Sequence, residues 1–83
     1  MNSDIKDRVI KILSYVMGIP NDEINEQSSP DTIEVWDSLK HMNLVLSLEE
    51  EFEVQFTEQQ ILEMMNVELI ILTVEEALLT PKL

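Results

Sequence analysis

The sequence predicts an all-α domain, a small four-helix bundle with a long loop between its first two helices and a short third helix. Three observations carry that expectation. Apolar residues recur at helical spacing from the N-terminus onward, hydroxyl-led capping signals mark helix starts in the second half, and no segment alternates apolar and polar residues as a strand would. Eighty-three residues give room for one domain, 1–83, with a modest core. There is neither an internal repeat nor a low-complexity segment.

In the first helix Ile5, Val9, Ile12, Leu13 and Val16 share a face. Ser3 is its expected N-cap. The helix should stop near Met17, because Gly18, the sole glycine, suits a C-terminal cap and Pro20 follows. Asn21 to Val35 reads as a loop rich in Asn, Ser, Pro and Asp, with Ile24 and Ile33 expected to pin it to the core. A loop of that length inside a compact domain is often functional. The second helix opens at Asp37 or Ser38 and runs to about Glu53. Capping boxes at Thr57-Glu-Gln-Gln60 and Thr73-Val-Glu-Glu76 then predict a third helix over about 58–65 and a fourth over about 74–79. Ile61, Met65, Leu69 and Leu72 keep helical spacing across the proposed gap, so one helix over 58–79 is the alternative. The β-branched pair Ile70 and Ile71 favours the break.

Composition narrows function by exclusion. Seventeen Asp and Glu face five Lys and Arg, a formal net charge of -12, so nucleic acid and anionic membrane surfaces would be repelled and basic protein surfaces attracted. The plainer alternative is that the acidity only keeps a small protein soluble. A disordered acidic tail is excluded by 45% hydrophobic residues in periodic order. Without cysteine there is no disulfide framework, thiol nucleophile or ordinary zinc knuckle. No calcium-loop pattern occurs. The start reads as no signal peptide, and the longest apolar run, Leu69 to Leu72, falls far below the roughly 20 residues that span a bilayer. A cytoplasmic, monomeric protein is the expectation.

The second helix carries two apolar stripes. Leu44, Val45, Leu48 and Phe52 form one; Leu39, Met42 and Leu46 form another, centred roughly 130° away. One stripe suffices to join a core, and the bulkier first is the better candidate. The second begins beside Ser38 and is flanked by Glu49, Glu50 and Glu53, the layout of a docking ridge bordered by acids. Burial of both stripes, by the loop and a neighbour, is the plainer possibility. Ser38 makes a poor catalytic nucleophile. It needs a base and a group to orient that base, yet the chain has one histidine, His41, and no Gly-x-Ser-x-Gly elbow. His41 lies in angular line with Val45, Leu48 and Phe52, which predicts packing at the rim of the core or against the loop. Met64 and Met65 are expected to pack in the core.

Val35-Trp-Asp-Ser-Leu39, followed by Met42, Leu44, Val45, Leu48, Glu49-Glu-Glu51 and Phe52, resembles the acyl carrier protein family, and the likeness extends over almost the whole chain. Asp-Ser-Leu is a weak signal alone. At the end of such a loop, and 14 residues before Phe52, it is strong. The resemblance implies a stand-alone acyl or peptidyl carrier in which Ser38 bears 4′-phosphopantetheine. A phosphopantetheinyl transferase would place the arm there from coenzyme A, with Asp37 and magnesium assisting. Loading and downstream biosynthetic enzymes with basic docking surfaces would be the other partners, and one of Met64 and Met65 would line an acyl cleft. Trp36, Lys40 and Asn43 depart from the fatty-acid synthase pattern, which has a small residue before Asp-Ser and acids at the other two positions. They point to a carrier of a specialised pathway. Asp37 and Ser38 would otherwise be ordinary helix caps, worth about 1 kcal/mol. The alternative function is an unmodified acidic adaptor that binds a basic or amphipathic helix.

Overall fold

A computed structural model describes residues 2–79. Four α-helices follow one another: α1 (Asn2–Met17), α2 (Ser38–Phe52), α3 (Glu58–Glu63) and α4 (Val67–Leu79), with a single 3-10 turn at Asn21–Glu23. There is no strand among the described residues. α1 packs on both α2 and α4, and the short α3 packs on α4.

α1 and α2 bury the sides their sequence patterns point to. Met65, Leu69 and Leu72, which keep helical spacing in the second half, are instead left exposed, and α4 turns a different face inward. Val9, Leu13 and Met17 of α1 meet Leu44, Val45, Leu48 and Phe52 of α2 and Val67, Ile70, Ile71 and Val74 of α4 in one apolar cluster. Ile24, Ile33 and Trp36 join it from the loop, and Phe56 and Met64 from the flanks of α3. α1 begins at Asn2, so Ser3 lies inside the helix; the cap itself falls outside the described residues. It ends as expected. Gly18 sits at φ 74°, its amide donates to the Ser14 carbonyl at 2.8 Å, and the Ser14 hydroxyl donates to the Ile19 carbonyl. A β-carbon at Gly18 would meet nothing within 4 Å, so its conformational freedom alone is at stake. Gly18→Ala should therefore cost about 1 kcal/mol, read as a lower urea midpoint with an unchanged slope.

The long loop is ordered by its own short polar side chains. Asn25 Oδ1 accepts from the Gln27 amide and Ser28 Oγ from the Asn25 amide, while Ser29 and Thr32 exchange a similar pair of contacts. Such local bonds let a loop run beside a core without orphaned backbone groups. Ile24 and Ile33 pin it as expected, each nearly fully buried.

The second half departs from expectation. α3 stops at Glu63, two residues short, and the fourth helix starts at Val67 rather than at 74. One continuous helix over 58–79 is likewise not formed, because the chain breaks at Met64 to Asn66. The first capping box is real: Thr57 Oγ1 accepts from the Gln60 amide and Gln60 Oε1 from the Thr57 amide. The second is not. Thr73 lies mid-helix and is buried, its hydroxyl donating to the Leu69 carbonyl one turn back at 2.7 Å. The working cap of α4 is Asn66, whose Oδ1 accepts from the Leu69 amide at 2.8 Å. Two loop carbonyls complete it, Ser28 accepting from Val67 and Glu26 from Glu68. Ile70 and Ile71 sit in the middle of α4, both buried. The few tenths of a kcal/mol that β-branching costs a helix are outweighed by burial of such side chains, worth about 1.5–3 kcal/mol each.

Candidate functional site

The site is built where the loop enters α2. Trp36 is buried, and its amide donates to the Ile33 carbonyl at 3.0 Å; the Asp37 amide donates to Val35 at 2.9 Å. These turns deliver Asp37 in an extended conformation, φ -107° and ψ -171°, as the N-cap of α2. Its Oδ1 accepts from the Lys40 amide at 2.9 Å and its carbonyl from the His41 amide at 2.8 Å. Ser38 is thus the first residue of α2, and both it and Asp37 are exposed. The amides of Ser38 and Leu39 have no partner within the helix, because the first turn never supplies one.

An exposed hydroxyl at that place fits a phosphate-linked arm. The attached phosphodiester would lie against helix-start amides at the positive end of the dipole, and the arm would extend into solvent. Lys40 does not supply the positive field. Its ammonium reaches back to the Val16 carbonyl at 3.3 Å, capping the C-terminal end of α1. Lys40 is thus a strut between two helices.

The two stripes of α2 separate cleanly. Leu44, Val45, Leu48 and Phe52 are buried, whereas Leu39 is 70%, Leu46 59% and Met42 45% exposed. Leu39, Met42 and Leu46 therefore form an apolar ridge that starts next to Ser38. Its acidic border is uneven. Glu50 and Glu53 are exposed, with Glu53 held in the left-handed C-cap of α2 at φ 55°. Glu49 is half-buried and its Oε2 accepts from the Phe56 amide at 2.9 Å, so this carboxylate orders the turn into α3. Glu51 is also engaged, accepting from Arg8 Nε at 2.9 Å. Sequence reasoning did not single out Leu62, which is 75% exposed on α3; a helical wheel of that six-residue element is its only signal. Met64 is in the core as expected, but Met65 is half exposed.

His41 meets both the loop and a neighbouring helix. Nδ1 accepts from Trp36 Nε1 at 3.0 Å, and Nε2 lies 2.9 Å from the Ile61 carbonyl on α3. The two rings are near-parallel, 22° apart, at 6.1 Å between centroids. With both ring nitrogens committed to structural partners, the imidazole does not face Ser38 as a base. No group of three or more His, Asp or Glu among the described residues could hold a metal ion, and no described helix is long and apolar enough to cross a membrane.

Comparison with known proteins agrees with this geometry. The model of the phosphopantetheine attachment site family matches residues 7–74. Among solved structures, the chain is similar to the solution NMR structure of a holo acyl carrier protein from Geobacter metallireducens. The match has 28% sequence identity and a TM-score of 0.80, over 89% of this chain and 85% of that one. With a family model spanning well over half its length, and a fold shared from α1 to α4, the chain belongs to the phosphopantetheine attachment site family: it is a carrier protein of acyl carrier type, holding 4′-phosphopantetheine covalently and catalysing no reaction itself.

Proposed function

We propose that Ser38 bears the arm and that the protein presents acyl or aminoacyl intermediates to the enzymes of a specialised biosynthetic pathway. The observation that carries this reading is the exposed Ser38 hydroxyl at the first position of α2, immediately beside the exposed ridge of Leu39, Met42 and Leu46. When bound, the arm supplies a thiol on which such groups are held as thioesters. Asp37 uses Oδ1 to cap α2 and remains exposed, which leaves its carboxylate within reach of a transferase and its magnesium. Trp36 before Asp-Ser-Leu, and Lys40 tied to α1 where an acid would otherwise stand, support a dedicated carrier over a general fatty-acid one.

The test is intact mass after incubation with coenzyme A, magnesium and a promiscuous phosphopantetheinyl transferase, followed by fragmentation of the product to locate the modified residue. One phosphopantetheinyl group on Ser38 supports the reading. No gain with several transferases, or a gain on a residue other than Ser38, would overturn it.

Partner enzymes should recognise the ridge and its acidic border through basic surfaces. Glu50→Lys with Glu53→Lys should lower kcat/KM of a loading enzyme about tenfold or more while leaving helicity unchanged, because exposed rim charges steer encounter rather than hold the fold. Glu49 is kept intact in that variant, since its carboxylate holds the Phe56 amide. Unchanged turnover would mean that partners dock elsewhere.

A further inference from the structure

We infer that His41 is a positioning residue for the modification of Ser38, fastening the segment that carries the serine both to α2 and to α3. The inference rests on Ser38 being the attachment point. The partners assign the ring's protons. An indole N–H can only donate, so Nδ1 is the acceptor towards Trp36, and the remaining ring proton sits on Nε2 and points at the Ile61 carbonyl. This neutral tautomer serves both bonds at once.

The geometry gives those bonds a consequence at Ser38. Trp36 stands two residues before the serine and His41 three after it. The His41 amide is bonded to the Asp37 carbonyl, and its ring to the Trp36 side chain. Asp37 and Ser38 are therefore enclosed between a backbone tie and a side-chain tie. Unwinding the start of α2 around the serine would pull against the bond between the indole and the imidazole. The second bond secures the other wall. α3 has six residues, too few to hold as a helix without tertiary support. Its Ile61 carbonyl has otherwise a long 3.4 Å contact from the Met64 amide. His41 supplies the stronger partner from α2. A transferase thus meets a preformed turn, and loosening that turn adds an ordering cost on binding.

Three substitutions divide the two bonds. His41→Phe keeps a ring and removes both. His41→Asn places an amide oxygen where Nδ1 was and retains an acceptor for Trp36. His41→Gln reaches towards Ile61 and leaves the indole without one. The readouts are the kinetics of phosphopantetheinylation by one transferase, hydrogen exchange of the Trp36 indole N–H, and urea stability. We expect KM to rise about five- to tenfold in His41→Gln, the factor set by one lost hydrogen bond, and at least as much in His41→Phe, which loses both, with kcat little changed. His41→Asn, which keeps the Trp36 bond and gives up the one to Ile61, should bring KM back towards wild type and slow indole exchange relative to His41→Gln. In His41→Phe combined with Trp36→Phe the loss should be no greater than in His41→Phe alone. Equal KM in wild type, His41→Phe and His41→Gln would overturn the inference, as would losses that follow urea stability across all three variants without rescue by Asn. If His41→Phe fails to fold, the contrast of Asn with Gln decides alone. A wild type that takes up no arm would instead remove the reading of Ser38, and His41's role with it.

Discussion

Ser38→Ala should leave a folded, helical protein that gains no mass when incubated with coenzyme A, magnesium and a phosphopantetheinyl transferase. With Ser38 as the proposed attachment point, the effect is all or none because the substitution deletes the hydroxyl that would accept the arm. Structure predicts that the fold will not notice. Ser38 is exposed, and the cap of α2 comes from Asp37, whose Oδ1 and carbonyl take up the Lys40 and His41 amides. Alanine is the best helix former and is well tolerated in the first turn. Circular dichroism and the urea midpoint should therefore match wild type within about 0.5 kcal/mol. A mass gain that persists in Ser38→Ala would place the arm on another residue. A loss of mass gain accompanied by unfolding would say nothing special about the hydroxyl, and the expected stability excludes that outcome in advance.

The second large effect is on the fold. Phe52→Ala should destabilise the protein by about 3–5 kcal/mol, the range for truncating a buried aromatic side chain. Phe52 is 6% exposed at the C-terminal end of α2, where it closes the buried stripe begun by Leu44, Val45 and Leu48. The Arg8 guanidinium lies 4.4 Å from its ring centroid and is held there by Glu51, which adds a cation–π contact of about 0.5–1 kcal/mol. A domain of this size has a total stability on the order of 4–12 kcal/mol, so the variant should sit at or near its threshold. Urea unfolding followed by circular dichroism reads the change. A shift below about 1 kcal/mol would mean that the core closes over the gap, and that α1 and α2 are held mainly by contacts nearer their centres.

Much of this was legible in the chain because the signals are local. α2 declared its start through Asp37 and Ser38, and the helical wheel separated its two stripes, of which the one bearing Phe52 lies inside and the one bearing Leu39 outside. Gly18 ended α1 for a reason that resides in a single residue, its freedom at positive φ. The motif at Ser38 could be placed because the loop before it and the acids after it follow each other in sequence. The capping box at Thr73 shows the limit of such signals. It has the same letters as the one at Thr57, yet it lies within a helix whose start is fixed by Asn66 and by the carbonyls of Glu26 and Ser28, some forty residues away in the chain. A local pattern offers a cap; burial of Val67, Ile70, Ile71 and Val74 decides whether the helix needs it.

The site divides along the same line. Sequence by itself determined that a helix opens at Asp37 or Ser38 and that it carries two apolar stripes, because those follow from spacing of 3.6 residues per turn and from side-chain chemistry. That Asp37 is the cap and that only one stripe is buried was decided by the tertiary structure. Tertiary structure alone decided what the charged and polar residues around the serine do. Lys40 is spent on the end of α1, Glu49 on the amide of Phe56, and His41 on Trp36 and Ile61. Each of those bonds satisfies a backbone or ring group that packing brings near. A polar side chain finds its partner only after the apolar core has set the distances between the helices.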